Sequence, residues 1–405
     1  MKVVDVSEFY SERGGGVRSH LTVKGHVLCQ LGVEHRIVAP GPRDQRAVES
    51  HGRGTEASVV VRIGGPSLPY DPTYHLLARP DKLRAFVADE RPDVLEVHSP
   101  YVAAAASLSV PRDHFGVRTF FWHADFVDTY VRPWSRARVG ERAGDGIAEA
   151  TWALTSRMLG KFDATFVASE GQRRKLSAHG VPNVVTVPFG VDRDVFRPTA
   201  KDEGVRRSHL RGRPEGTALL VGVGRFAVEK RWDVVLDAFA RIRAVRPAVL
   251  VLFGDGPERN VLEGRASRLG PAAADVTFMG FESRRDVLAR NFASADLLLH
   301  ACPFETFGLG IAEALAAGLP CIVPDEGGAA ERVSDAAMRY PTGDADDLAA
   351  RAVAFLEGSE SERKARATSL AAEIPSVHDH FASMMTHYRA LLDARDLRGR
   401  DGKAR

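Results

Sequence analysis

Short runs of valine, isoleucine, leucine and phenylalanine alternate with longer amphipathic stretches along most of this chain, and the alternation restarts near its middle. A strand buried on both faces reads as a near-continuous apolar run, and parallel strands need a crossover, usually helical, between them. The pattern therefore predicts an α/β fold of parallel sheets covered by helices on both faces. In the first half the strands fall at residues 3–6, 35–39, 58–63, 94–98, 119–122, 164–168 and 184–187, and Val17, Leu21, Val27, Leu28 and Leu31 recur at helical spacing after the first of them. Residues 43–56 read as a polar surface loop and 135–160 as an amphipathic helical stretch.

Around residues 196–216 the composition turns polar, with proline and glycine, and the alternation begins again. Strands then fall at 218–223, 249–253, 276–279, 295–300 and 321–323, and helices at 231–245, 258–269, 284–292, 308–317 and 346–355. The boundaries follow: a Rossmann-like domain over 1–197, a second over 198–374, an amphipathic helix at 377–392, and a charged tail over 396–405 without fixed structure. A chain of 405 residues suits two or three such domains. In doubly wound sheets ligands bind at the carboxyl ends of the strands.

Charge narrows the partners. With 55 Lys and Arg against 53 Asp and Glu, the net charge of +2 sets up no overall field for nucleic acid. The three cysteines, Cys29, Cys302 and Cys321, are far apart and form no metal-binding spacing. Asp5 and Glu8 interrupt the first apolar run too early for a signal peptide, and no long apolar span follows, so a cytoplasmic protein is expected. Residues 132–142 hold four arginines and Trp134. They read as a solvated helix face, with peripheral contact to an anionic membrane as the alternative.

Two segments carry the chemistry. Phe304-Glu305-Thr306-Phe307-Gly308-Leu309-Gly310 follows a strand and opens a helix that contains Glu313 and closes at Gly318-Leu319-Pro320. A helix N-terminus offers unpaired N–H groups to an anion, and carboxylates accept hydrogen bonds from sugar hydroxyls. By spacing alone, a helix-capping and a solvated glutamate are as good a reading. Val221-Gly222-Val223-Gly224-Arg225-Phe226-Ala227-Val228-Glu229-Lys230 ends the first strand of the second half. Its glycines permit close approach of backbone, and Arg225 and Lys230 suit a diphosphate. It matches neither phosphate-loop nor dinucleotide fingerprints, and taken alone it reads better as a strand end with surface charges.

Taken together, these segments resemble the retaining glycosyltransferase family 4. Its pattern sets an Arg and a Lys in GR-xxxx-K and two glutamates in E-x7-E, here Arg225 with Lys230 and Glu305 with Glu313. Gly254-Asp255-Gly256-Pro257, Phe278-Met279-Gly280-Phe281, Gly327-Gly328 with Glu331, and Gly190-Val191-Asp192 resemble further family motifs in the same order. The resemblance spans nearly the whole chain and is strongest over 217–333. It implies the GT-B fold, two Rossmann-like doubly wound domains facing across a cleft, with the C-terminal helix (375–395) crossing back to complete the first.

The same resemblance implies transfer of a hexosyl unit, mannose or glucose, from a GDP- or UDP-linked sugar to a glycan, lipid-linked or small-molecule acceptor, with retention and without a metal or other cofactor. Arg225 and Lys230 would hold the diphosphate and Glu313 the ribose. Glu305 would take the hexose hydroxyls, and Thr306, Phe307, Gly308 and Leu309 would line the donor. Gly15, Gly16 and Gly224 would approach phosphate, and Phe281 would lie near the base. His123 would position the reacting sugar, an interior histidine being the plain alternative, and Asp125 and Tyr130 would face the acceptor. Asp192 and Asp194 have metal-binding spacing, but the GVD context implies a turn. The competing functions are a silent nucleotide-sugar binder, an epimerase of the same architecture, and a phosphorylase.

Overall fold

A computed structural model describes residues 1–10, 16–50, 56–68 and 71–401. The chain divides into two compact units, Met1–Pro188 with Val377–Arg405, and Phe189–Ser376.

The first unit contributes ten strands, β1 (Lys2–Val6), β2 (Glu34–Gly41), β3 (Gln45–Ser50), β4 (Glu56–Gly64), β5 (Ser67–Leu68), β6 (Asp71–His75), β7 (Val94–Val97), β8 (Val117–Trp122), β9 (Ala164–Val167) and β10 (Val184–Thr186). Its helices are α1 (Gly16–Gln30), α2 (Pro80–Glu90), α3 (Val102–Leu108), α4 (Arg132–Val139), α5 (Glu141–Leu159) and α6 (Glu170–Ala178). The main sheet runs β10-β9-β8-β7-β1-β2-β4-β3, parallel except for β3. Val3, Val4 and Val6 of β1 and all of β8 are buried, as a sheet covered on both faces requires.

Residues 43–56 are not simply a loop, because Gln45–Ser50 pairs antiparallel with β4 at the sheet edge. An edge strand needs one hydrogen-bonded neighbour and tolerates charge on its open side, so its sequence carries little apolar signal. The helical stretch at 135–160 is two helices that meet at Gly140.

The second unit holds β11 (Ala218–Val223), β12 (Ala248–Phe253), β13 (Val276–Gly280), β14 (Leu297–Leu299), β15 (Cys321–Pro324) and β16 (Arg339–Tyr340), in the parallel order β13-β12-β11-β14-β15-β16. Its helices are α7 (Glu203–His209), α8 (Trp232–Val245), α9 (Arg259–Ala266), α10 (Arg285–Ser294), α11 (Leu309–Ala316), α12 (Gly327–Arg332), α13 (Ala345–Glu357) and α14 (Glu360–Ala372). α8 buries Val234, Val235, Leu236, Phe239 and Ile242.

The last helix, α15 (Val377–Asp401), returns to the first unit, where Phe381, Met384, Met385 and Tyr388 are buried. It is helical through Asp401, so residues 396–401 do not form the unstructured tail expected there; residues 402–405 lie outside the described residues. Residues 189–197 and 375–376, expected with the first domain, cluster with the second unit. The cause is local: Val191 N–H donates to Pro375 O at 2.9 Å, and Arg193 Nη2 donates to Ala371 O at 2.7 Å and Ile374 O at 2.5 Å. Asp192 Oδ1 accepts from the amides of Asp194 (3.0 Å) and Val195 (3.3 Å), which makes this aspartate pair part of a turn.

Each sheet reverses its direction of growth once. In the first unit β2 and β7 flank β1 on opposite sides; in the second β12 and β14 flank β11. Loops leaving the carboxyl ends of such neighbours diverge and open a crevice, the place where these folds bind ligands.

Candidate active site

At the reversal point of the second unit, β11 delivers Gly224-Arg225 and β14 delivers His300 through Gly308. The first loop is laced to the turns that follow β12 and β13. Gly224 N–H donates to Phe253 O (3.0 Å), Phe226 N–H to Asp255 O (2.9 Å) and Gly254 N–H to Gly280 O (2.9 Å). Gly254 sits at φ 156°, and a Cβ there would stand 1.9 Å from Gly224 O, so only glycine allows the loops this close. Trp232 Nε1 donates to Arg225 O at 2.9 Å. The backbone at 225 is thus fixed while its side chain is exposed, with no hydrogen-bond or ion-pair partner among the described residues.

Lys230 Nζ donates to Glu305 Oε1 at 2.5 Å. Burial pulls the ammonium towards neutrality, but Glu305 more than offsets this and holds it charged. Burial likewise pushes the Glu305 carboxyl up, and Lys230, aided by His300, holds it below the usual range. His300 lies 3.6 Å from Glu305 Oε1, and burial drives its pKa down to about 4, so it is neutral at physiological pH. The Cys302 thiol is pushed up to about 12, mainly by burial, and is unreactive. His300, Cys302 and Glu305 bring one ligand atom each within 4.8 Å of one another. Lys230 already occupies that carboxylate, and its charge opposes a cation there.

The loop before α11 is held from behind. Gly328 N–H donates to Glu305 O at 2.6 Å, and a Cβ at 328 would meet Phe307 N at 2.6 Å. The Gly-Gly turn is therefore a seat for the 305–308 backbone. Phe307 is buried against Phe189, edge to face at 5.3 Å. Gly308, at φ 82°, turns the chain into α11, where Ile311 N–H donates to Gly308 O at 3.0 Å and the amides of Leu309 and Gly310 have no carbonyl one turn back within the helix. Glu313, in the second turn of α11, pairs with Arg285 of α10, whose guanidinium lies 4.8 Å over Phe196. Burial outweighs Arg285 and pushes the Glu313 carboxyl up to about 7. Phe281 is 69% exposed after β13.

The first unit places His98 after β7 and His123 after β8, and their rings meet, His98 Nδ1 to His123 Nε2 at 2.8 Å. Behind them lies a fully buried polar cluster. Lys24 Nζ donates to Asp5 Oδ1 and Glu96 Oε1, both at 2.7 Å, and His35 Nε2 meets Asp5 Oδ2 at 2.6 Å. Tyr388 and Thr119 donate hydroxyls to Glu96 Oε2 at 2.7 and 2.9 Å. His20 and Phe121 flank His123 with ring centroids at 5.1 and 4.7 Å. Burial first, then His98, hold His123 well below the ordinary imidazole range, so it is neutral.

Other expected residues fare differently. Asp125 is buried and ion-paired to Lys175, while Tyr130 is 53% exposed. Gly16 opens α1, and a Cβ at that position would meet open space, with nothing within 4 Å; Gly15 lies outside the described residues. Arg132 and Arg136 are bound by Asp128, Asp145 and Glu149, so the arginine-rich face is largely charge-balanced. His98, His300 and Arg285 belong to none of the motifs legible in the sequence. The first two end strands at a reversal point, which is a usable signal; Arg285 is visible only in three dimensions.

Residues 209–370 match the family model for glycosyl transferases group 1, and residues 14–195 match that for glycosyltransferase family 4. A GDP-mannose-dependent alpha-(1-6)-phosphatidylinositol dimannoside mannosyltransferase of Mycobacterium tuberculosis is 33% identical over 80% of this chain and 79% of its own length. A GDP-mannose-dependent alpha-mannosyltransferase of Mycolicibacterium smegmatis is 30% identical over 98% of this chain and 100% of its own. In fold the chain is similar to sucrose-phosphate synthase from Thermosynechococcus elongatus (TM-score 0.77, 17% identity, 97% of this chain and 100% of that one). It is also similar to Anabaena HepE in complex with UDP and glucose (TM-score 0.69, 16% identity, 96% and 100%). The two mycobacterial relatives carry transferase names, which disfavours the silent-binder and epimerase readings. With two Rossmann-like domains of GT-B type and an acid pair on the expected loop and helix, the chain is a nucleotide-sugar-dependent hexosyltransferase that belongs to glycosyltransferase family 4.

Proposed function

We propose that the enzyme transfers mannose from GDP-mannose, with retention, to an acceptor that already carries a sugar. The donor choice is supported by the two mycobacterial relatives, both named as GDP-mannose-dependent. A glycolipid of the phosphatidylinositol mannoside type, as in the first relative's name, is the first acceptor to try. The observation that carries the site assignment is the half-buried Lys230–Glu305 pair, with the unpaired, exposed Arg225 on the same loop as Lys230.

In this reading Arg225, Lys230 and the α11 amides meet the charge that grows on the departing diphosphate. Fixed positive groups aimed at developing charge lower a barrier without reorganising. Glu305 takes hexose hydroxyls, Glu313 the ribose and Phe281 the base, while Thr306, Phe307, Gly308, Leu309 and Gly224 line the donor. His123 positions the reacting sugar, with Gly15 and Gly16 near it. Tyr130 and Asp125 face the acceptor, the latter through its pairing with Lys175. A lipid-linked acceptor would bring the enzyme to a membrane surface, and Trp134, 57% exposed with Arg138 stacked over it, suits the headgroup layer. Among the described residues no helix is long and apolar enough to cross a membrane.

Release of nucleoside diphosphate, measured with GDP-mannose and with UDP-glucose in separate reactions, tests the donor. GDP release that rises on adding the mannosylated lipid is expected. Turnover of UDP-glucose alone would overturn the donor, and no release from any nucleotide sugar would overturn transfer.

A further inference from the structure

Arg285 breaks a local rule. It is the first residue of α10, next to Arg284, at the end of a helix where the macrodipole favours anions and opposes cations. Arg284 is met there by Glu282, whose carboxylate accepts from its amide at 2.8 Å and from its Nε and Nη2 at 3.2 and 3.1 Å. Asp286, the acid of the first turn, is paired with Arg290 at 2.9 Å. The anion that meets Arg285 comes from another helix: its Nη2 donates to Glu313 Oε1 of α11. A residue that works against its own element is held by some other demand, and functional sites are where such conflicts collect.

Glu313 supplies the demand. It is buried, and a carboxylate taken out of water without a cation gives up its charge. Arg285 is its side-chain partner and bonds one oxygen; among the described residues Oε2 accepts no hydrogen bond. Burial raises the carboxyl and Arg285 is the charge that opposes it. The other charged residues described on the elements packed against α11 are committed elsewhere. Asp286 pairs with Arg290 on α10, and Glu331 with Arg332 on α12. On α14 Glu362 closes the capping box, Arg363 donates to the carbonyls of Leu356 and Gly358, and Arg366 pairs with Asp335. β15 carries no charged residue. The arginine is itself braced: its guanidinium lies over the ring of Phe196, which is buried and packs on Phe292 of α10 at 6.1 Å. Half exposed, the guanidinium stays hydrated and costs little to hold there.

We infer that Arg285 is a positioning residue for the donor: it clamps Oε1 of Glu313 and keeps the carboxylate charged, so that Oε2 accepts from the ribose hydroxyls. The inference rests on the reading of Glu313 as the ribose ligand and deepens it. Donor affinity then depends on a residue that need not touch the donor, and the dependence has a pH signature. An ionised carboxylate only accepts hydrogen bonds; once protonated, it gives up one acceptor for a donor. A neighbouring opposite charge holds a carboxyl about 1–3 pH units lower, so removing Arg285 leaves Glu313 neutral over more of the physiological range.

Carboxyl 13C spectra of the full-length, unliganded protein, followed across pH, test this, with Glu313→Gln identifying the Glu313 signal. The wild-type midpoint is expected at about 7. In Arg285→Gln it should rise by at least about one pH unit, and in Arg285→Lys, which keeps the charge, it should stay near the wild type. An unmoved midpoint in Arg285→Gln, or the same rise in Arg285→Lys, would overturn the inference. Calorimetric titration of GDP adds a binding readout. Arg285→Gln should bind GDP roughly five-fold more weakly than the wild type at about pH 7 and almost equally at about pH 9, as a rise of one pH unit requires. A loss that is the same at every pH would mark a purely structural role and contradict the inference. If Arg285→Gln does not fold, Arg285→Ala at this half-exposed position carries the same expectations. GDP binding by Glu313→Gln as tight as by the wild type at about pH 9 would instead remove Glu313 from the ribose, a separate failure that the carboxyl spectra do not share.

Discussion

Lys230 and Glu305 neutralise each other before any donor arrives, and each keeps the other ionised inside the protein. Lys230→Ala and Glu305→Ala should each lower transfer by about 10²–10³-fold, the usual cost of one charge contact in such a site. Both should remain folded by circular dichroism. Each variant strands its partner's half-buried charge, so both should melt below the wild type, and unchanged midpoints in both would count against the pairing. Glu313 supplies a pH signature. A ribose hydroxyl needs its carboxylate as acceptor, so the donor KM should rise as pH falls below about 7. Glu313→Gln should flatten that profile. In the unliganded enzyme the sign is opposite: a carboxyl whose folded pKa is raised lends stability that is complete below its ordinary range and is lost as pH climbs through about 7. At this scale the residue types were legible from GR-xxxx-K and E-x7-E, and their pairing was not. Nothing along the chain links Lys230 to Glu305 or Glu313 to Arg285, since each partner arrives from a different strand or helix.

The elements matter by where their ends fall. Three turns, after β11, β12 and β13, are tied by main-chain bonds, and the tie depends on Gly254. Gly254→Ala drives a methyl into Gly224 O and should cost about 1–3 kcal/mol in urea unfolding, with a raised donor KM because Arg225 shifts. An unaltered KM in a destabilised variant would separate that turn from the donor site. Strands in the middle of each sheet were legible, since burial on both faces leaves an unbroken apolar run in β12 and mostly apolar ones in β1 and β8, interrupted by Asp5 and by Arg118-Thr119. β3 and α14 were not. The first is a polar edge strand, and the second is a largely polar helix whose clearest mark is its Ser359–Glu362 capping box.

For the molecule as a whole, the last helix decides whether the first unit is complete. Tyr388 of α15, fully buried, donates to Glu96 in the cluster behind His98 and packs edge to face on Phe166 at 5.7 Å. Tyr388→Phe removes only the hydroxyl and should destabilise by about 1–3 kcal/mol, because Glu96 loses a buried donor. A change under a few tenths in chemical denaturation would mean the cluster has relaxed around the loss. The chain's return to its first unit could be anticipated only by resemblance, because an amphipathic helix does not name its partner. The claim on which the account depends is that the carboxyl-end crevice of the second sheet binds a nucleoside diphosphate through Arg225 and Lys230. Calorimetric titration of GDP, with a chelator present, into the wild type and into Arg225→Ala with Lys230→Ala measures this directly. Tight binding by the wild type and a loss of about 10²-fold or more in the double variant are predicted; equal affinity in the two proteins would contradict the account.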